Sequence, residues 1–232
     1  PGAAAITLLM ALFAYGMATF TTDLGVASRL ALAAGALVGL PSTCLAHELG
    51  HVFFARRAGA RVHYVELRWA GAMCVLEWPD NLPAYRQLPT HLGGVAVNLA
   101  GGAVFAAAAT ASALLTHGAV TFSDPSPLTG FLVVLAGFWL GLGVVNLIPA
   151  PGFDGLNVLW SAAAIRFDPD RSRTFAMAAG WVTLAAAAAA CLVAGLFGWA
   201  LVAAVIAGGS AWSQFHTARV NRHLPADPIP AD

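Results

Sequence analysis

Residues 44–55 read Cys44-Leu45-Ala46-His47-Glu48-Leu49-Gly50-His51-Val52-Phe53-Phe54-Ala55, three ionisable side chains set inside an apolar run. The wider stretch over positions 27–55 is apolar enough to form a helix that crosses a bilayer, which takes about 20 residues. On a helix, His47 and His51 lie one turn apart on the same face, so both imidazoles can reach one tetrahedral metal ion. Glu48 points about 100° further round, where it can hold a water instead of the metal. The competing reading is a histidine pair that only makes interhelical hydrogen bonds. Two imidazoles and a carboxylate are costly on an apolar span without a partner or a task, and the spacing is that of a zinc-binding helix, so the metal reading is preferred.

The rest of the chain shares that apolar environment. With 59% hydrophobic and 9% charged residues over 232 positions, it has too little polar surface to coat a soluble globule. The expected fold class is an all-α polytopic membrane protein of about six transmembrane helices, at 3–20, 27–55, 91–116, 128–148, 174–195 and 197–217, forming one domain over 1–232. The stretch 3–20 lacks a basic flank and a clear cleavage site, and is read as a span rather than a signal peptide. Residues 62–78 break the helical pattern. Val65, Leu67 and Trp69 alternate with Tyr64, Glu66 and Arg68, Ala70-Gly71 offers a turn, and a small β-hairpin at the membrane surface is expected, anchored by Trp69 and Trp78.

Charge sets orientation and excludes partners. All eleven basic residues are arginines, and the six-span topology puts ten of them on one side and Arg29 alone near the other. That side is expected to be cytoplasmic, with both termini and the His47–His51 end of the second span facing it. Net charge is zero and no basic cluster exceeds Arg56, Arg57 and Arg61, so no nucleic-acid partner is expected. Cys44, Cys74 and Cys191 are too few and scattered for a disulfide framework or thiolate metal site, and are read as small core residues.

A catalytic zinc site wants a third protein ligand. Of the other histidines, His63, His91, His117, His216 and His223, the last three fall at span ends or in the tail. Asp154 is the better candidate. It sits in Asn146-Leu147-Ile148-Pro149-Ala150-Pro151-Gly152-Phe153-Asp154-Gly155, where two prolines break a helix and Gly155 permits close approach. The alternative for Asp154 is a helix N-cap for 155–165.

His47-Glu48-Leu49-Gly50-His51 followed about a hundred residues later by Asn146-Leu147-Ile148-Pro149-Ala150-Pro151-Gly152-Phe153-Asp154-Gly155 resembles the site-2 protease family of intramembrane zinc metalloproteases. That family pairs HExxH in one membrane helix with an Asn-x-x-Pro-x-x-x-x-Asp-Gly stretch in another, and the resemblance covers residues 31–160. It implies one Zn²⁺ held by His47, His51 and Asp154, Glu48 as general base, and Asn146 near the reacting carbonyl. The family's Gly-Pro-x-x-Asn element corresponds to Gly94-Val95-Ala96-Val97-Asn98, with Val95 in place of proline, and Asn98 is the less secure second candidate for an oxyanion donor. Both asparagines also read as interhelical hydrogen-bond groups. The implied activity is cleavage of a membrane-tethered protein with a single transmembrane helix, in regulated proteolysis, in a compact form without PDZ or CBS domains and gated by a membrane partner or prior trimming. The substrate helix must unwind to expose its carbonyls, and an edge of the 62–78 hairpin is expected to receive it as an added strand. The alternative is a membrane zinc transporter or metal-binding protein using the same ligands, although the spans carry almost no further carboxylates or histidines for an ion path.

Overall fold

The computed structural model describes residue 15 and residues 24–68, 71–120 and 125–193. Its elements are α1 (Val26–Arg57), a β-hairpin of β1 (Arg61–Arg68) and β2 (Gly71–Glu77), a 3-10 turn (Ala84–Gln87), α2 (Leu88–His117), α3 (Pro127–Asn146), α4 (Asp154–Ala163) and α5 (Pro169–Val193). Four helical segments are long and apolar enough to cross a membrane among the described residues: Val26–Arg57, Ala84–His117, Pro127–Asn146 and Pro169–Ala190. They match the second to fifth expected spans. The count of six is therefore not reached, because the expected spans 3–20 and 197–217 lie outside the described residues apart from position 15.

Local chemistry explains where the helices stop. α2 ends on Gly118, whose φ of 67° is the left-handed cap that glycine takes at least cost. α3 starts behind Ser126, whose hydroxyl accepts from the Thr129 backbone N–H at 3.3 Å, with Pro127 in the first turn. Two prolines follow its last residue, Asn146, and confirm the expected break, two residues earlier than the sequence suggested. The chain then turns through Pro149–Phe153 into α4, where Ala150 and Pro151 are buried.

α1, α2 and α3 pack on one another and form the core. Small residues let the backbones close in, which is how helices associate where lipid supplies no hydrophobic drive. Val134 and Phe138 of α3 seat against Gly35 and Gly39 of α1. The outer stripe of α1, including Leu45, Leu49 and Phe53, stays exposed, as expected of a face turned to an apolar solvent. α4 packs on α5 and against the start of α2, and the hairpin lies on α1.

The hairpin forms as the alternation predicts. β1 and β2 are antiparallel, with Val65 opposite Cys74, and the register shifts between Val62 and Tyr64, leaving His63 as the extra residue of a bulge. His63 Nε2 meets Glu77 Oε2 at 3.1 Å across the strands. The proposed anchor Trp69 and the turn residue Ala70 lie outside the described residues.

Candidate metal centre

Two helices bring three side chains to one point near the C-terminal end of α1. His47 and His51 stand one turn apart on that helix, and Asp154 arrives as the first residue of α4, 107 positions beyond His47. Asp154 Oδ2 lies 2.7 Å from His47 Nε2 and 3.2 Å from His51 Nε2, and the two Nε2 atoms are 3.1 Å apart. The helix N-cap alternative for Asp154 is not what forms, because the N-cap of α4 is Phe153 and the Asp154 carboxylate is turned to the histidines.

These atoms fit a metal ion. Tetrahedral zinc with ligands about 2.0–2.1 Å away spaces its ligand atoms about 3.3 Å apart, and the observed separations need only a small outward adjustment to reach that. Among the described residues, His47, His51 and Asp154 form the one group of three or more ligand-type side chains so placed. The Asp154 carboxylate supplies the one anion of the set, beside two imidazoles that ligate a metal in their neutral form.

The outer ring nitrogens are also held. His51 Nδ1 donates to the Thr90 carbonyl at 2.7 Å, which fixes Nε2 as the free lone pair facing the cluster. His47 Nδ1 meets the Asn98 side-chain amide, with Nδ2 at 3.2 Å, while the buried Asn98 Oδ1 finds no partner among the described residues. Turning that amide end for end lets His47 Nδ1–H donate to Oδ1 and satisfies both groups at once; amide orientation is an assignment that the hydrogen-bond network decides. Asn98 is fully buried behind His47, on the side away from Asp154's contact with Nε2. That position suits the orientation of a ligand better than donation to a reacting oxygen.

Close backbone approach makes the convergence possible. A Cβ on Gly50 would lie 2.5 Å from the Gly93 carbonyl oxygen, and one on Gly94 would lie 2.7 Å from the His47 and His51 rings. Gly155 meets the carbonyls of Leu147 and Ile148 just as tightly, which brings Asp154 in beside the end of α3. Gly50, inside the HExxH stretch, and Gly94 are thus contact points between α1 and α2. The Val95 departure from proline is accommodated within regular helix, and Val95 is buried.

Glu48 is buried and not part of the three-ligand group. Cys74 of β2 lies close to its carboxylate. Burial first and the Glu48 charge second push the Cys74 thiol up to about 11, so it stays protonated near neutral pH and makes a poor ligand or nucleophile. Cys44 and Cys74 are both free, and Cys44 is buried as expected. Asn146 stands at the end of α3 with its Nδ2 donating to the Leu142 carbonyl at 3.0 Å, a bond within its own helix. It does not join the cluster directly.

His91, named among the other histidines and set aside for Asp154, was given no role by the sequence. It lies on the first turns of α2, next to Thr90, with its ring centroid 6.3 Å from Trp78 and 6.5 Å from Trp160. An isolated histidine in an apolar segment has no spacing partner to mark it, and the neighbouring Thr90 carbonyl and Gly94, seen in three dimensions, tie this part of α2 to the metal centre.

No protein-family model matches the chain. Two curated proteins, each named as the zinc metalloprotease Rip3 and from the Erdman and H37Rv strains of Mycobacterium tuberculosis, are 34% identical to it over 130 residues, covering 53% of this chain and 30% of each relative. The chain thus spans less than a third of the length of the curated relatives it matches. Among solved structures, the site-2 protease from Methanocaldococcus jannaschii aligns over 97% of this chain and 93% of its own with a TM-score of 0.50 at 19% identity, which shows a shared fold.

Proposed function

We propose that this chain is the transmembrane protease domain of an intramembrane zinc metalloprotease, with one Zn²⁺ per chain held by His47, His51 and Asp154. The observation that carries the reading is the meeting of those three side chains, from two distant sequence motifs, within mutual ligand distance. The shared fold with a site-2 protease and the similarity to a named zinc metalloprotease support it. That the described residues hold one such cluster, with no second along the spans, favours the enzyme over a transporter, which needs successive sites.

Zinc bound there supplies a Lewis acid that activates water and polarises a peptide carbonyl. Glu48 takes the proton of the attacking water and passes it to the leaving amine. Thr90 and Asn98 hold the two imidazoles in orientation from behind. Asn146, with one amide N–H engaged by Leu142, has its other N–H for the developing oxyanion.

The substrate is a membrane protein with a single transmembrane helix, cut near the cytoplasmic face in regulated proteolysis, with a membrane partner or prior trimming as the gate. Unwound, that helix adds to the hairpin along β2, the strand whose Cys74 lies close to Glu48. The test is a panel of single-span substrates in detergent or liposomes, incubated with native, chelator-treated and zinc-restored chain, with products mapped by mass spectrometry. Cleavage inside or beside the apolar stretch, abolished by chelation and restored by zinc, is expected. Cleavage that survives chelation, or cuts confined to distant soluble segments, would contradict the reading.

A further inference from the structure

The largest basic cluster of the chain, Arg56, Arg57 and Arg61, falls where α1 ends and β1 begins, with all three side chains exposed. No carboxylate pairs with any of them among the described residues. Arg57 is engaged in another way, its guanidinium carbon 4.3 Å from the centre of the Phe53 ring. Arg56 makes neither kind of contact among the described residues, and it lies within electrostatic reach of Cys74, the β2 residue close to Glu48. A bare cation thus stands at the border of the site already described.

Helix geometry places that cation more closely. At about 100° per residue, the buried Val52 and Ala55 lie within about 40° of Glu48 around α1, and the exposed Leu45 and Leu49 lie about 60° and 100° round from it. Arg56 comes at about 80°, in line with the two leucines and about two turns beyond Leu49, whereas Arg57 comes at about 180°, on the opposite side of α1 from Glu48. One edge of α1 is therefore an apolar stripe, open to lipid, that runs alongside Glu48 and ends in an unpaired guanidinium. Its complement is a membrane helix whose apolar span ends in a carboxylate. A substrate that approaches Glu48 from the bilayer over this edge meets the leucines first and Arg56 at the end.

Resting on the protease reading above, we propose that the edge of α1 carrying Leu45 and Leu49 receives the substrate helix, and that Arg56 selects substrates with Asp or Glu on the cytoplasmic side of the cleaved bond. The guanidinium donates to that carboxylate and touches no reacting atom, so its part is specificity. From Glu48 to Arg56 the helix rises about 12 Å, which an extended strand covers in about three or four residues. The acid therefore belongs about three or four positions from the cleaved bond. Arg57, turned to the Phe53 ring, has no part in this choice.

The experiment compares native chain with Arg56→Glu and Arg57→Glu in phosphatidylcholine vesicles, and again in vesicles that contain phosphatidylglycerol. The probes are labelled single-span peptides with an Asn-Gly break in the apolar stretch, differing only at the third and fourth residues beyond it on the cytoplasmic side, which are Asp-Asp, Asn-Asn or Arg-Arg. Zinc per chain and kcat/KM are read for each chain, together with the Kd of each probe on its Glu48→Gln form. Native chain should prefer Asp-Asp to Asn-Asn by about threefold to fivefold in both kcat/KM and Kd, the range of an exposed ion pair. Arg56→Glu should reverse the order and favour Arg-Arg, while Arg57→Glu keeps the native order. The same order in native and Arg56→Glu chains, or a reversal as large in Arg57→Glu, would overturn the proposal. So would a loss in Arg56→Glu that is equal for all three probes and confined to phosphatidylglycerol vesicles, which would assign Arg56 to a lipid headgroup. Failure of the protease reading is distinguishable, since it appears in the native chain as absent zinc or absent cleavage of every probe, and the Kd comparison still decides whether Arg56 meets the acid.

Discussion

The two ends of the α1–α2–α3 core handle buried polar groups in opposite ways. At the end away from the metal centre, Ser112 and Thr129 hydroxyls meet at 2.8 Å, Ser126 reaches Thr129 at 2.9 Å, and Ser28 donates to the Pro125 carbonyl at 3.1 Å. These bonds tie all three helices together, and next to Ser28 the buried Arg29 Nε has no partner among the described residues. At the other end, two imidazoles and a carboxylate crowd to 2.7–3.2 Å, while Thr90 Oγ1 and His91 Nε2 nearby have no partner among the described residues. A satisfied network serves packing. A crowded, incompletely paired one carries a cost that structure alone does not recover, and the natural occupant is a ligand.

The largest effect should come from emptying the cluster of its anion. Asp154→Ala removes the one carboxylate from the ligand set and leaves two imidazoles, so zinc per chain measured by atomic absorption should fall to a small fraction of native and cleavage should vanish. Retention of full zinc in that variant would mean that Asp154 is not a ligand.

A smaller loss is expected behind His47. Asn98→Leu keeps the branched shape but removes the polar group that faces Nδ1, and should weaken zinc binding by about 10–100-fold, read by competition with a chelator. If zinc affinity stays native while kcat falls, Asn98 acts on the reaction and not on the ligand. The smallest effect on function belongs to the far end. Thr129→Val leaves the Ser112 and Ser126 hydroxyls without their shared partner and should cost about 1–3 kcal/mol of stability in a thermal or denaturant melt. Zinc content should not change. A zinc loss there would break the contrast between the two ends.

How much of this was legible in the sequence follows the same division. α1, α2 and α3 could be placed because each is a long apolar run bounded by glycine or proline, and the hairpin because its alternation has period two. The meeting of His47, His51 and Asp154 was legible because each motif breaks an apolar stretch with costly groups that demand an explanation. What could not be read were contacts made by backbone or by unmarked side chains. The Thr90 carbonyl on His51 leaves no trace in residue identity. Asn98 was legible as polar, but its place behind His47 needed the helix crossing that Gly50, Gly93 and Gly94 permit. The bulge at His63 and the choice of β2 as the strand at Glu48 depend on register, which periodicity does not fix.

On the proposed function, Glu48 works beside a zinc centre that it does not help to build. The most direct test measures zinc per chain and cleavage of a single-span substrate for the native protein and for Glu48→Gln side by side. About one zinc per chain is expected in both, with cleavage reduced by about 10²–10⁴-fold or more in the variant. Loss of zinc from Glu48→Gln, or cleavage that persists at the native rate, would contradict it.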